Sequence, residues 1–595
     1  MGALCALAVF VGTIGGSFHD DDVQLIGLGQ DHGFSITMLF GEPRFLEHLV
    51  PLSNTLSWVI GVLGAHWWLA HWYAALATLL LVVLIAFLVR RLTDSPAAAL
   101  LTAGAVGTSI VVFTVATWWA STALQLSMLS AGVVMLIFAV RWDEARSRVA
   151  FGGAIAAQFL ACGFYDRAQL LPVAAWVVLA VARPSSEEIS ARLVWQRTKE
   201  SGALLAGLFA VVITQFVLTL VLASQNSGAL TAAGRTSLTG WLQMLADWWV
   251  VGVGAVASNG YSGSRHSASE AFTHPSWLAG IAVLAVLAGA TIRNRRAALI
   301  WAGAIVLITL SAFQVAAGRL AQLGSLGLAS AFRYQELTLL FLAVLVPAAW
   351  AASGRPRPHS RRATGLLAVL ILLGAAAWLL SYRTTARDRA QVSYRGATYA
   401  HNLESSLRRF DSTGRKLTLL DVRVPETVVI AVPQVEQYAL TSKVARVFAP
   451  GTPVPPVNQP DGAPILVDGE GVFQEVKLGP AVGFGLTGQG CGSAPVGAGW
   501  LEPGAAVFAG EIPPIVIKPG RRIALTVRLR QSNARGQLGI TSSVMKFPAL
   551  LADLADYPDG IRAIVPAGTA TITFQLWNGA EACVQGASAA AILSP

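Results

Sequence analysis

Long apolar blocks, rather than alternating or amphipathic stretches, dominate this chain as far as residue 381. Runs near 3–17, 67–89, 98–116, 121–140, 149–165, 169–182, 203–224, 276–291, 297–316, 335–353 and 366–381 read as helices with little polarity. Most have the ~17–25 residues that a helix needs to cross bilayer hydrocarbon, so the pattern predicts about 11 spans. The first run is short for a span. That shortness points to a true start upstream of Met1, and the N-terminus lacks the basic start and small-residue cleavage site of a signal peptide. The two short runs around Asp166-Arg167 are kept separate, because one long helix would put the basic loops 141–148 and 183–202 on opposite sides.

From about 383 the pattern changes. Mixed, Arg-rich sequence leads into alternating segments at 416–424 and 427–432, and Gly/Pro-rich turns follow at 449–464. Strand-like runs at 464–468, 513–518, 522–530, 536–541 and 569–576 are separated by Gly, Pro and Asn. The expected organisation is a transmembrane domain over 1–382 with large loops at 18–66 and 225–275. A connecting α/β region follows over 383–462, then a mainly-β, sandwich-like domain over 463–595.

Composition agrees with this division. Hydrophobic residues make up 54% and charged residues only 12%, with mean hydropathy +0.59, which excludes a soluble protein of this length. The net charge of +10 sits largely in short loops, a signature of membrane orientation rather than nucleic-acid binding. Alternate threading puts Arg90, Arg91, Arg141, Arg146, Arg148, Arg192, Arg197, Lys199, Arg293, Arg295, Arg296, Arg355, Arg357, Arg361 and Arg362 on one side, and that side is read as cytoplasmic. Loops 18–66 and 225–275 and everything after about 383 then lie outside a plasma membrane. Segment 51–67 reads as a helix in the interface, and Trp67, Trp68, Trp72, Trp118 and Trp119 as an aromatic belt. Cys491 and Cys583, both external, are expected to form a disulfide. Cys5 and Cys162 fall within spans as packing residues.

Polarity gathers at the outer ends of the spans. His19-Asp20-Asp21-Asp22 follows the first run, and carboxylates at a helix mouth are costly to desolvate. Residues 42–54, with His48, form a second group, 164–172, with Asp166 and Arg167, a third, and Arg319 with 331–336, containing Arg333, Tyr334 and Glu336, a fourth. Acids suit removal of a proton from an incoming hydroxyl, and arginines suit neutralisation of a phosphate leaving group. No P-loop, zinc spacing, dinucleotide fingerprint or serine elbow is present, so no nucleotide-driven motor is expected within this chain.

These motifs resemble the GT-C superfamily of glycosyltransferases, and most of all its large actinobacterial cell-envelope members. An acidic cluster after the first span is followed by a His-x-x-Pro segment, here His48-Leu49-Val50-Pro51. A Phe-x-acid-base-Ala-x-Leu-x-Pro motif corresponds to Phe164 to Pro172, with Asp-Arg where Glu-Lys is commoner. Arg333-Tyr334 matches an Arg-Tyr pair opening a late span. The resemblance implies an inverting transferase that takes a sugar from a polyprenyl-phosphate donor to an external glycan, glycolipid or protein acceptor. Asp20 or Asp21 is then the general base. Asp22, His48, Asp166, Arg167, Arg333 and Tyr334 bind substrates, with Arg333 and Arg167 on the donor phosphate. Some members hold a divalent cation at the acidic loop, to which Asp20, Asp21 and Asp22 are the candidates, although adjacent side chains rarely complete a coordination shell. The rival reading is a non-enzymatic lipid or polysaccharide translocator or an assembly scaffold, which should carry polar residues at mid-span.

Overall fold

The computed structural model describes residues 2–14, 16–19, 21–32, 34, 49–183, 188–224, 237–259, 276–354, 396–410, 417–425, 428–429, 439–459, 463–484, 486–488, 491–493, 505–511, 522–533, 537–542, 550–553, 560–566, 569, 571–577 and 581–594. The helices in order are α1 (Gly2–Thr13), α2 (Asp21–His32), α3 (Pro51–Val62), α4 (Trp67–Thr93), α5 (Pro96–Gly107), α6 (Ile110–Ala116), α7 (Trp119–Ala145), α8 (Arg148–Phe164) and α9 (Leu171–Val177). They continue as α10 (Ala191–Glu200), α11 (Gly202–Ser224), α12 (Leu238–Asp247), α13 (Gly254–Ser258), α14 (Ser276–Thr291), α15 (Arg295–Ser330), α16 (Glu336–Ala352), α17 (396–410) and α18 (Thr441–Phe448).

Four of these helices are long and apolar enough to cross a membrane, or five if the bent pair α5–α6 is one span. Their surfaces support the same conclusion. Along α4, Trp68, Trp72, Leu76, Leu80, Val83 and Phe87 form an exposed apolar stripe at helical spacing, while Leu81, Ile85, Leu88 and Val89 are buried. A stripe that large is stable only against lipid. This is an integral membrane protein. The span expected at 366–381 lies outside the described residues.

The bent span is stabilised locally. Ser95 caps α5, accepting from the Ala98 N–H, and Ser109 caps α6, accepting from the Val111 N–H. The two axes bend by 48° between them. Asn259, at the end of α13 with φ +54°, closes the break: its Oδ1 accepts from Ile110 N–H at 2.5 Å and its Nδ2 donates to the Thr108 carbonyl at 3.0 Å. Backbone groups freed inside a bilayer need such partners.

Two sequence expectations change here. Segment 225–275, read as an external loop, contains α12, a π-helical turn (Trp248–Val253) and α13, which pack on α14 and α15. Asp247 and the flanking polar residues dilute the apolar signal of this helix. Segment 51–67, read as an interfacial helix, yields α3 packed into the protein: the Ser53 hydroxyl bonds the carbonyls of Ala123 (3.0 Å) and Phe164 (2.9 Å).

A small α/β unit follows. Strand β1 (Leu417–Leu419) pairs in parallel with β2 (Ala463–Val467), which pairs antiparallel with β3 (Phe473–Glu475). The boundary expected at 462 therefore falls inside this unit, because a parallel pair needs a crossover, and α18 lies within that connection. Leu403, Leu407, Leu419, Val444 and Ile465 share one core with Phe18, Val23 and Ile26 of the first loop and with Trp119 of α7. The unit thus sits directly on the segment that carries the aspartates.

The C-terminal region is mainly β. Strands β4 (Lys477–Leu478), β5 (Val482–Phe484) and β7 (Cys491–Ser493) pair with β14 (Glu581–Ser594), which continues through β9 (Arg522–Asn533) to β12 (Ile561–Pro566). A second sheet runs β11 (Leu550–Asp553), β10 (Gln537–Ser542), β13 (Thr571–Trp577), β8 (Ala505–Glu511), β6 (Leu486–Gly488). The runs expected at 522–530, 536–541 and 569–576 correspond to β9, β10 and β13, and that at 513–518 lies outside the described residues. The described side chains form no disulfide, and those of Cys491 and Cys583 are not among them. Their backbones stand directly opposite each other in the β7–β14 ladder.

Candidate functional site

Asp22 lies in the first turn of α2 and is fully buried. Its Oδ2 accepts from the His19 N–H (3.2 Å) and the Trp119 N–H (3.3 Å), and its Oδ1 accepts from the Ala120 N–H at 2.7 Å. Trp119 and Ala120 open α7, so the carboxylate caps that helix from 97 residues away. The first loop is thereby pinned across the end of the bundle.

His19 follows from that anchor. Its Nδ1 donates to the Ser17 carbonyl at 3.2 Å, and its ring lies 6.3 Å from that of Trp118 in a stacked orientation. The guanidinium carbon of Arg333 lies 4.8 Å from the centre of the same indole and 4.8 Å from the ring of Tyr334. Trp118 thus joins the loop carrying the aspartates to the short 3₁₀ turn (Phe332–Tyr334) that carries the cation. Trp118 and Trp119, read from sequence as belt residues, face inward. The Trp119 Nε1 donates to the Ser57 hydroxyl at 3.2 Å, and its ring meets Tyr73 edge-on.

Behind Arg333 lies a buried polar group. Arg167, in the 3₁₀ turn after α8 (Asp166–Leu170), donates through Nη1 to the Tyr334 carbonyl (3.0 Å) and to the Glu336 carboxylate, and through Nη2 to the Ser311 hydroxyl (2.6 Å). Arg167 and Glu336 are 3% and 0% exposed. The two Nη groups of Arg167 are aimed at protein groups, while its Nε is buried without a hydrogen-bond partner among the described residues. The neighbouring Asp166 is half-buried, and its carbonyl accepts from Gln314 Nε2 at 3.4 Å.

The sequence-derived candidates therefore divide. Asp22, Arg333 and Tyr334 are brought together, with Arg167 one contact behind and Asp166 beside it. Asp21 is described only as the first residue of α2. Asp20, His48 and the Asp21 side chain lie outside the described residues. Sequence reasoning missed Ser311, read Trp118 as a belt residue, and named Glu336 within the fourth polar group without a role at the site. A carboxylate opening the apolar run of α16 was the one available signal, since such a group needs a buried cation.

Among the described residues no three His, Cys, Asp or Glu side chains group as a metal site. Asp22 is engaged by three backbone N–H groups, two on Oδ2 and one on Oδ1. Outside the membrane-embedded part, a second aspartate acts in the same way. Asp421 accepts from the N–H (2.8 Å) and hydroxyl (2.5 Å) of Ser442 in the first turn of α18, which packs on α2. Burial pushes its carboxyl up to about 6, against the opposing effects of those hydrogen bonds and of Lys443 and Arg446.

No protein-family model matches this chain, and no curated protein sequence matches it. Among solved structures it is similar to ArnT from Cupriavidus metallidurans bound to undecaprenyl phosphate, with TM-score 0.41 and 14% identity, covering 78% of this chain and 92% of that one. It is also similar to the Archaeoglobus fulgidus oligosaccharyltransferase in complex with Zn and sulfate, with TM-score 0.32 and 11% identity, covering 71% of this chain and 60% of that one.

Proposed function

We propose that this protein is an integral membrane glycosyltransferase of GT-C type. It moves a sugar from a polyprenyl-phosphate donor to a glycan, glycolipid or protein acceptor outside the plasma membrane. The observation that carries this reading is the Arg333 guanidinium held over Trp118, beside the loop that runs from His19 into the aspartate triplet. A cation fixed next to acidic residues at a membrane surface suits a reaction that releases a lipid phosphate while an acid accepts a proton.

In this reading Asp20 or Asp21 takes the proton from the acceptor hydroxyl. The oxygen attacks the anomeric carbon, and the bond to phosphate breaks with inversion. The departing polyprenyl phosphate carries the electron pair away and is neutralised by Arg333. Asp22 positions the neighbouring aspartates, and Arg167 and Glu336 position Arg333. The α/β and β regions lie on the acceptor side, where a disulfide between Cys491 and Cys583 closes β7 onto β14. Directly opposed residues of antiparallel strands have Cα atoms ~4.5–5.5 Å apart, within the range a disulfide spans.

A translocator would need polar groups along a path through the bilayer. The bent α5–α6 span is the feature nearest to that, and Asn259 and Ser109 take up its freed backbone groups. The test is to give the purified chain in liposomes a panel of polyprenyl-phosphate sugars with envelope glycan acceptors, and to read products by mass spectrometry. Product is expected from the wild type and none from Asp20→Asn or Asp21→Asn, whichever is the base. Full turnover by both variants overturns the assignment of the base, and no product from any donor overturns the enzymatic reading.

A further inference from the structure

Helix α10 lies at the surface of the membrane-embedded part. A single residue, Ser201, separates it from α11, whose stretch Gly202–Val221 is a candidate span, so it sits at the level where lipid headgroups begin. It is fixed there. The Trp176 Nε1 of α9 donates to the Thr198 hydroxyl at 3.0 Å, Arg197 donates to the Arg183 carbonyl at 3.4 Å, and Ser190 caps its start. Leu193 and Val194 are half-buried on the side toward the bundle.

The other side carries Arg192, Trp195, Gln196 and Lys199, all exposed at helical spacing. Trp195 is 61% exposed, and the Lys199 ammonium lies 5.2 Å from its ring centre. Three nearby acids are engaged by other groups, Asp143 by Arg146 and Arg183, Glu144 by Arg91, and Glu200 by Arg146 and Gln196, while Glu188 is exposed just ahead of the helix. An indole held outward between two cations is costly in bulk water. It is favoured at the headgroup boundary, where the ring finds apolar carbon and the cations find phosphate.

We infer that α10 binds anionic phospholipid, with Trp195 entering the headgroup boundary and Arg192 and Lys199 meeting the lipid phosphate. This inference is independent of the catalytic reading. The experiment uses the full chain purified in mild detergent. Phosphatidylglycerol or phosphatidylcholine is added at equal concentration, and retained lipid is counted by native mass spectrometry. Wild type is expected to retain more phosphatidylglycerol than phosphatidylcholine. Each of Arg192→Gln and Lys199→Gln should weaken that retention roughly fivefold. Trp195→Ala should lower retention of both lipids. Arg408→Gln removes an exposed cation from the α/β unit and should change nothing. Raising ionic strength on the intact wild type should abolish the preference, which keeps the test valid if a variant misfolds. Equal retention of the two lipids by wild type, undiminished phosphatidylglycerol on the combined Arg192→Gln and Lys199→Gln variant, or a salt-insensitive preference each overturns the proposal. The last two would point instead to an acidic protein partner for this face or to lipid binding elsewhere.

Discussion

Arg167 and Glu336 pair across 169 residues with both side chains almost wholly out of solvent. The pair ties the turn after α8 to the first residue of α16, and Arg167 also holds the Tyr334 carbonyl beside Arg333. Removing only the acid leaves a buried cation uncompensated, a loss of about 3–5 kcal/mol in comparable sites. Glu336→Ala is expected to lower thermal stability in detergent by that order, whereas Arg167→Met with Glu336→Leu should recover most of it. Strictly additive losses in the double variant would mean that the two residues do not act as a pair.

Asp22 accepts three backbone N–H groups, two of them from the first turn of α7. Asp22→Ala should cost about 2 kcal/mol, as expected for loss of charge-assisted caps, and Asp22→Asn, with one acceptor oxygen left, should cost less. Because the contact anchors the residues next to it, turnover is expected to fall more than donor affinity. Steady-state kinetics in liposomes checks this, and a change confined to donor KM would contradict it.

Arg333 stacks its guanidinium plane near Trp118 and Tyr334. Arg333→Lys keeps the charge but loses the planar fork, so it should recover only part of the donor binding that Arg333→Ala loses. Trp118→Ala should raise donor KM roughly tenfold, the order expected for loss of a partly desolvated cation–π contact. An unchanged donor KM in all three variants would remove Arg333 from the donor site.

Asp421 has a folded-state carboxyl raised to about 6 by burial. The folded form holds its proton more tightly than the unfolded chain, so this residue's contribution is greatest below the ordinary carboxylate range. It is lost as pH rises through about 6. The full difference from the ordinary carboxylate value is on the order of 3 kcal/mol. Thermal unfolding of wild type against Asp421→Asn between pH 4 and pH 8 (roughly the titration window) should show the two curves diverging with rising pH, the variant becoming relatively more stable. Parallel curves would show that the group is not perturbed in this way.

Cys491 and Cys583 are directly opposed in the β7–β14 ladder. Membrane-inserted protein whose C-terminal region faces an oxidising compartment should yield a Cys491–Cys583 linked peptide under non-reducing digestion, and Cys583→Ser should leave Cys491 open to alkylation. Free thiols at both positions in native protein would count against the bond.

The membrane class, many of the described bundle helices and the change to β structure were legible in the sequence, because apolar run length and strand alternation are local properties of a chain. It also singled out Asp22, Arg167 and Arg333, since charge at the end of an apolar run is conspicuous, and Tyr334 through the Arg-Tyr pair of the family it resembles. Tertiary structure alone shows what each of them contacts. An indole is as suited to a lipid interface as to a protein core, so only packing assigns Trp118 to the site and Trp68 to the lipid face. The helix pair at 238–258 was illegible because Asp247 and polar flanks break its apolar run, while Asn259 compensates only through a contact 149 residues away. The α/β unit likewise rests on a parallel strand pair separated by a long crossover. Charge pairs, tertiary caps and parallel pairings join residues far apart along the chain, and no local pattern records which partners meet.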